Sequence, residues 1–334
     1  MFSVVIPLFN KAGTIRRALD SVRSQTVAPD EIVVVNDGST DGGAEIARSL
    51  GEARLRVIDQ PNRGVSAARN AGLRAAVAPL VAFLDADDKW QPGFLSRIRE
   101  MVNGYPGAEL YATGFRTEAA GQKTRAYGVR RRDLPGAADC RGAAFGPVNL
   151  FDAWRRGPIL HPSSMVVSKA AALAAGGFPE GVSIGEDFIF WCRLALAGPV
   201  ILAPDVLAVH DVGVPGQLSE FWATEYRRTL DVLEYHRFLA ETLRRGQVGA
   251  AFRRHVRREL RLALFQRVYR GRFDALEQFW RELELDRERL GAAAGCCGWL
   301  ARHRAVQPVV GAAMRVARRV RGTRQRGGSD GADD

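Results

Sequence analysis

Leu80-Val81-Ala82-Phe83-Leu84-Asp85-Ala86-Asp87-Asp88 passes from an apolar run into three carboxylates within four positions. The apolar part reads as a buried strand, because five consecutive nonpolar residues leave no polar face for solvent. The acidic part is costly for the same chain to carry: like charges this close raise one another's proton affinity unless a cation neutralises them. A hard divalent ion relieves that repulsion, takes oxygen ligands and keeps positions open for phosphate oxygens. Read as extended chain, the D-x-D spacing sets Asp85 and Asp87 on one side, one for a ribose and the other for the ion. An acidic surface turn would carry the same letters.

Upstream, short β-branched runs at Ser3–Ile6, Ile32–Val35 and Leu55–Ile58 alternate with helical patterns at Thr14–Gln25, Ala44–Leu50 and Val65–Val77. Strand, helix and strand in this order predict βαβ units about a parallel, doubly wound sheet with helices on both faces. In such sheets ligands gather at the carboxyl ends of the strands. Asn36-Asp37-Gly38-Ser39 stands at such an end, with a carboxylate for base N–H groups or ribose hydroxyls and a glycine for the turn. Asn62-Arg63-Gly64 leads into Ala67-Ala68-Arg69-Asn70-Ala71-Gly72, where small residues let a helix approach the sheet and its amino end suits anions, with Arg69 toward a diphosphate.

Downstream, a helix is expected after Trp90-Gln91-Pro92, reaching Val102, then strands near Leu110–Thr113, Ser163–Val167, Val200–Ala203 and Val206–Val209. Between them, Gly121 to Pro147 reads as a basic loop over the site. Gly185-Glu186-Asp187 opens a helix whose next residues, Phe188 to Trp191, are bulky and apolar. A carboxylate partly desolvated at that boundary gains the proton affinity of a general base, though an acidic first turn also suits the helix dipole. His210, after Val206–Val209, could complete a metal shell, and His161 and Trp191 could face an acceptor.

The chain has 334 residues, 46% hydrophobic and 25% charged, which suits one large α/β domain with a smaller appendage. Its formal net charge of +11 favours anionic partners, and arginine gathers at Arg130–Arg132, Arg253–Arg261 and Arg302–Arg326. Cys140, Cys192 and the pair Cys296-Cys297 fit neither a disulfide framework nor a CxxC site, so a reducing, cytosolic setting is expected. Phe2–Phe9 has neither a basic leader nor a small-residue cleavage site, and no run reaches the ~18–20 apolar residues of a spanning helix. Membrane contact would therefore be peripheral. The division expected is 1–215 catalytic, 216–290 a helical extension, and 291–334 a basic helix at Val309–Arg321 with a disordered tail.

Taken together, Val4-Val5-Ile6-Pro7-Leu8-Phe9-Asn10, Asn36-Asp37-Gly38-Ser39, the Asn62–Gly72 segment, Asp85-Ala86-Asp87-Asp88 and Gly185-Glu186-Asp187 resemble the inverting family-two glycosyltransferases of GT-A fold, in order and spacing over roughly residues 1–210. The resemblance implies that Pro7 and Asn10 line the nucleotide pocket, with Asn62 and Arg69 nearby. It implies Asp37 on the base, Asp85 on the ribose, and Asp87, with Asp85 and His210, on Mg²⁺ or Mn²⁺. Asp187 would be the base, oriented by Glu186. The expected reaction moves a sugar from a nucleotide-sugar, a UDP-sugar by default, to a hydroxyl acceptor: a glycan, a lipid-linked intermediate, a protein or a small molecule. A sugar nucleotidyltransferase shares the sheet and the acidic site but needs a glycine-rich triphosphate loop that is missing here. A non-catalytic nucleotide-sugar binder docked by its basic tail is a third reading. A dinucleotide fingerprint and a P-loop are absent. Anionic lipid is the partner expected for the tail, and nucleic acid is not expected.

Overall fold

The computed structural model describes residues 1–119, 124–134, 145–182, 184–212, 233–246, 248–269, 273–283 and 307. Two compact units, Met1–Trp222 and Ala223–Asp334, divide the chain.

The first unit is built on one mixed sheet. Strands β1 (Phe2–Leu8), β2 (Glu31–Asp37), β3 (Leu55–Gln60) and β4 (Leu80–Phe83) form its parallel part in the order β3-β2-β1-β4. The crossovers run through helices α1 (Ala12–Arg23), α2 (Gly43–Ser49) and α3 (Val65–Ala75). β1 and β2 are buried almost throughout, which is why they read as unbroken apolar runs: both faces of the sheet are covered. Val4, Ile6, Ile32 and Val34 share a core with Ile15 and Leu19 of α1. On the opposite face α3 lies so close to β1 that a β-carbon on Gly72 would stand 2.2 Å from Val5 Cγ1. The small residues of 67–72 are there to permit that approach.

Beyond β4 the sheet turns mixed. β9 (Met165–Ser168) pairs antiparallel with both β4 and β6 (Leu110–Glu118), and β10 (Val200–Asp211) then runs parallel to β6. β5 (Lys89–Trp90) pairs antiparallel with β10, ahead of α4 (Phe94–Gly104). β7 (Arg125–Tyr127) pairs β6, and β8 (Gly146–Pro147) pairs β10. Helices α5 (Leu150–Ala153), α6 (Lys169–Ala174) and α7 (Glu186–Ala197) complete the unit.

The helix expected after Trp90-Gln91-Pro92 is α4, and two local expectations shift. Ser163 and Ser164 form a 3₁₀ turn with Pro162, capped by His161, before β9 begins at Met165. The two short strands expected at 200–203 and 206–209 are one strand, β10, with register shifts between Leu202 and Ala208.

The second unit is helical where described: α8 (Leu233–Arg244), α9 (Ala250–Tyr269) and α10 (Phe273–Glu282). Leu239, Val256, Leu260, Leu264, Leu276 and Phe279 are buried in it, and the Arg267 guanidinium lies 3.6 Å from the Phe279 ring centroid. The expected helix at Val309–Arg321, the disordered tail, Cys140, Cys296-Cys297 and much of the Gly121–Pro147 loop lie outside the described residues.

Candidate active site

The carboxyl ends of the parallel strands β1, β2 and β4 lie at one edge of the sheet, and the loops that leave them are tied together. Asp37, 2% exposed, accepts from the Gln60 side-chain amide (2.7 Å) and the Arg63 N–H (2.9 Å) at Oδ1, and from the Gly64 N–H (2.8 Å) at Oδ2. This carboxylate therefore shapes the 60–64 loop that leads into α3. Gly38 adopts φ +76°, and a β-carbon there would meet the Asn62 backbone nitrogen at 2.9 Å, so the Asp37 turn and the exposed Asn62 are packed together. Asn10 is the non-glycine residue found with positive φ among those described (50°); its Oδ1 accepts from the Thr40 N–H at 2.9 Å, clamping the end of β1 to that of β2. Pro7 is half-buried in β1 beside Val35. Phe9, directly after β1, leaves 46% of its surface exposed.

The acidic motif is a tight turn, which corrects the extended D-x-D geometry: β4 ends at Phe83, and the Asp88 N–H donates to the Asp85 carbonyl at 2.9 Å. The three carboxylates consequently point to different partners. Asp85 receives Arg69 Nη2 at 2.8 Å. Asp87 lies 3.0 Å from Lys11 Nζ, while its carbonyl accepts from Arg17 at 2.6 Å. Asp88 is fully buried; it accepts from the Ser163 hydroxyl and from the Asp211 N–H (3.2 Å), and meets His210 Nδ1 at 3.0 Å. His161 Nδ1 stands 3.5 Å from the same carboxylate, and the two imidazoles stack with centroids 4.3 Å apart. Asp88, His161 and His210 thus present ligand atoms within 4.8 Å of one another.

Burial pushes the Asp88 carboxyl up to about 6 against the pull of His210. Burial opposes the charge on His210, but Asp88 prevails and lifts that imidazole to about 8. His161, buried beside His210, is held well below its ordinary value and stays neutral. Asp88 had no role from the sequence. Its burial comes from the turn, from the 3₁₀ segment at 162–164 and from the end of β10, three elements far apart in the chain.

This corner suits a divalent cation. Its donors are carboxylate oxygens and imidazole nitrogens.

On the other side of Arg69, α7 begins at Glu186 after Gly185, whose φ of +88° turns the chain into the helix. Arg69 is 3% exposed; besides Asp85 it reaches Glu186 at 3.4 Å, and it stacks 5.1 Å from the Phe178 centroid. One guanidinium thus joins the acidic turn to the Glu186-Asp187 pair, rather than standing open toward a diphosphate. Asp187 is half-buried and accepts from its neighbour's N–H at Phe188 (2.8 Å). Desolvation, then the charge of Glu186, pushes its carboxyl up to about 8 in spite of Arg69; Glu186 is raised as well, again mainly by burial. Trp191 is buried one turn into α7, its indole N–H against the Met165 sulfur at 3.0 Å and its ring near Trp154 and Phe188.

A family model described as Glycosyl transferase family 2 matches residues 3–139. The chain is 30% identical over 267 residues to the succinoglycan biosynthesis protein ExoU of Rhizobium meliloti, covering 76% of this chain and 74% of that protein. It is 45% identical over 102 residues to an uncharacterized glycosyltransferase of Nostoc sp., there covering 30% of this chain and 32% of the relative. Against that relative and two others, of Bacillus subtilis and Escherichia coli, the match spans only about a third of the relative's length (32%, 36% and 30%). Among solved structures, S. aureus TarS 1-349 in complex with UDP-GlcNAc superposes with a TM-score of 0.69 at 19% identity, over 95% of this chain and 91% of that one. The mannosyltransferase PcManGT from Pyrobaculum calidifontis, in complex with GDP-Man and Mn²⁺, gives 0.55 at 22%, over 96% and 86%.

Proposed function

The chain belongs to glycosyl transferase family 2, and on that premise we propose that it is a cation-dependent, inverting glycosyltransferase that moves a sugar from a nucleotide-diphosphate sugar to an acceptor hydroxyl. The observation that carries the reading is the pairing of two acidic centres across one buried arginine: Asp85 to Asp88 on the donor side, Glu186 and Asp187 on the acceptor side.

In this reading Pro7, Asn10, Asp37 and Asn62 frame the nucleotide, and Asp85 meets the ribose while Arg69 holds its carboxylate in place. Asp87, with Asp85 and His210, would hold Mg²⁺ or Mn²⁺; such an ion, when bound, neutralises the departing diphosphate. Asp187 takes the proton of the acceptor hydroxyl, whose oxygen bonds to the anomeric carbon as the carbon–oxygen bond to the nucleoside diphosphate breaks and its electrons leave with that group. One displacement inverts the anomeric centre. Glu186, bound by Arg69, keeps the helix start in place; His161, stacked on His210 beside Asp88, falls on the donor side rather than toward the acceptor, and Trp191 is buried within α7 and its neighbours.

A UDP-sugar is the donor favoured, supported by the likeness to TarS crystallised with UDP-GlcNAc; the GDP-Man bound to PcManGT makes guanosine donors the first comparison to run. The similarity to a succinoglycan biosynthesis protein supports a growing surface polysaccharide or its lipid-linked precursor as acceptor. No described helix is long and apolar enough to cross a membrane, and we place the enzyme in the cytoplasm, with the basic segment at 309–321 against an anionic inner-membrane surface.

The test is a donor panel read by mass spectrometry with Mn²⁺ or Mg²⁺ present. Release of a nucleoside diphosphate together with a glycosylated acceptor is expected. Consumption of a nucleoside triphosphate with formation of a nucleotide-sugar would reverse the assignment, and donor binding without turnover across the panel would reduce the protein to a binder.

A further inference from the structure

Lys11 is a cation of the donor side to which the proposed mechanism gives no role. Its backbone is pinned on either side: the Asn10 N–H donates to Ser39 Oγ at 3.1 Å, and the Ala12 N–H, the first of α1, to the Asp41 carboxylate at 2.7 Å. The Lys11 carbonyl accepts from the N–H groups of Thr14 and Ile15, at 3.1 and 2.9 Å. The side chain, 15% exposed, reaches the acidic turn and brings its ammonium 3.0 Å from Asp87 Oδ2. That contact is an ion pair alone; among the described residues no acceptor meets the ammonium in hydrogen-bonding geometry.

The arginines of this corner hold two acceptors each. Arg69 gives Nη1 to Glu186 and Nη2 to Asp85, and Arg17 gives Nη1 to Asp211 and Nη2 to the Asp87 carbonyl. An ammonium is instead a point charge on a flexible four-carbon stem, able to pass from one oxygen to another while its backbone stays fixed. Of the 48 basic side chains in the sequence only four are lysines, at 11, 89, 123 and 169, so lysine here departs from the arginine used almost everywhere else.

The ion pair sets up a competition. Asp87 is the carboxylate proposed above for a divalent cation, and an ammonium against one of its oxygens repels an incoming ion strongly in a place this buried. Once displaced, the ammonium needs an anion within reach of its stem. A diphosphate bound to the same ion offers one, and lysine meets phosphate oxygens as a point charge.

We propose that Lys11 and the divalent cation exchange on Asp87, the ammonium passing to the diphosphate of the donor as the ion binds. Lys11 is then a binding residue for the diphosphate, the role expected of Arg69, whose guanidinium is held by Asp85 and Glu186. The inference rests on the cation-dependent reading above and deepens it by naming a contact of the chain itself for the leaving group.

Two measurements on the full chain test the exchange. The first compares wild type with Lys11→Met by calorimetry, using Mn²⁺ alone, then UDP or GDP and the matching nucleoside in the presence of Mn²⁺. Lys11→Met should bind Mn²⁺ about 10-fold more tightly, because no ion pair has to be broken, and the nucleoside diphosphate about 10–100-fold more weakly, with the nucleoside unchanged. Opposite signs distinguish exchange from a merely structural role, which would weaken all three. The second measurement needs no variant and decides the matter should Lys11→Met misfold: acetylation of lysine amines, read by mass spectrometry with Lys169 as internal reference. Labelling of Lys11 should rise on addition of Mn²⁺ and fall again with the nucleoside diphosphate. Mn²⁺ affinity of Lys11→Met at or below that of the wild type, diphosphate and nucleoside weakened together, or labelling of Lys11 indifferent to Mn²⁺ would overturn the proposal and leave the cation-dependent reading standing. Wild-type protein that takes up no Mn²⁺, or neither UDP nor GDP, would overturn that reading and the exchange with it.

Discussion

Asp187 carries the sharpest prediction at the scale of single residues. Its carboxyl, raised to about 8 by desolvation and by Glu186, could serve the proposed role of base only when ionised. Turnover should therefore be low at neutral pH, rise as pH climbs through about 8, and level off above, as a pH profile of transfer at saturating donor would show. Asp187→Asn should abolish that limb and lower the rate about 10²–10⁴-fold, the usual worth of a positioned general base, while donor binding by calorimetry stays intact. Normal turnover in that variant would reject the base assignment. Asp88 makes a second case. Its hydrogen bond to His210 Nδ1 leaves Nε2 as the nitrogen free to ligate an ion. Asp88→Asn should weaken Mn²⁺ binding about 10–100-fold, as partners of metal-ligating histidines commonly do, measured by titration of the ion without substrate. The sequence made the acidic residues of 85–88 conspicuous but could not say that the last of them is the buried one. That depends on Ser163 and on the backbone of Asp211, more than seventy and one hundred and twenty positions away.

At the scale of elements, α3 is the strut between the sheet and both halves of the site. Gly72→Val would drive side-chain atoms into Val5, and overpacking of this kind costs about 1–3 kcal/mol, to be read as a lower denaturant midpoint with an unchanged slope. Arg69→Met should cost more, about 3–5 kcal/mol, because it strands Asp85 and Glu186 in a buried place without their shared cation. Helical and strand periods foretold β1 to β4 and α1 to α3, since those elements obey local propensity and are buried in simple patterns. They did not foretell that Trp90 pairs with β10 or that β9 runs antiparallel between β4 and β6. A two-residue strand has no period, and direction within a sheet leaves no mark on side-chain alternation.

For the whole molecule, ligand linkage gives the plainest test. A nucleotide-sugar that binds the folded chain with Mn²⁺ should raise its melting temperature, by about 2.7 kcal/mol of added stability at a hundred-fold excess over the dissociation constant. EDTA should remove most of that gain if the ion bridges donor and protein. A shift indifferent to EDTA would speak for a metal-independent site. The chain divides into two compact units, so the transition to follow is that of the first, which holds Trp90, Trp154 and Trp191.

By itself the sequence determined the parallel half of the sheet, the crevice at its carboxyl edge and the chemical character of the residues delivered there. Each of those follows from local pattern: buried strands must be apolar, turns must be Gly- or Asn-rich, and acidic residues at a strand end must be balanced. Only the tertiary structure decided which charge answers which. Arg69 sits between Asp85 and Glu186, Lys11 on Asp87, and His210 on Asp88, because residues from opposite ends of the first unit converge in one low-dielectric corner. Ion pairing there depends on distances of a few ångströms, which periodicity along a chain does not encode.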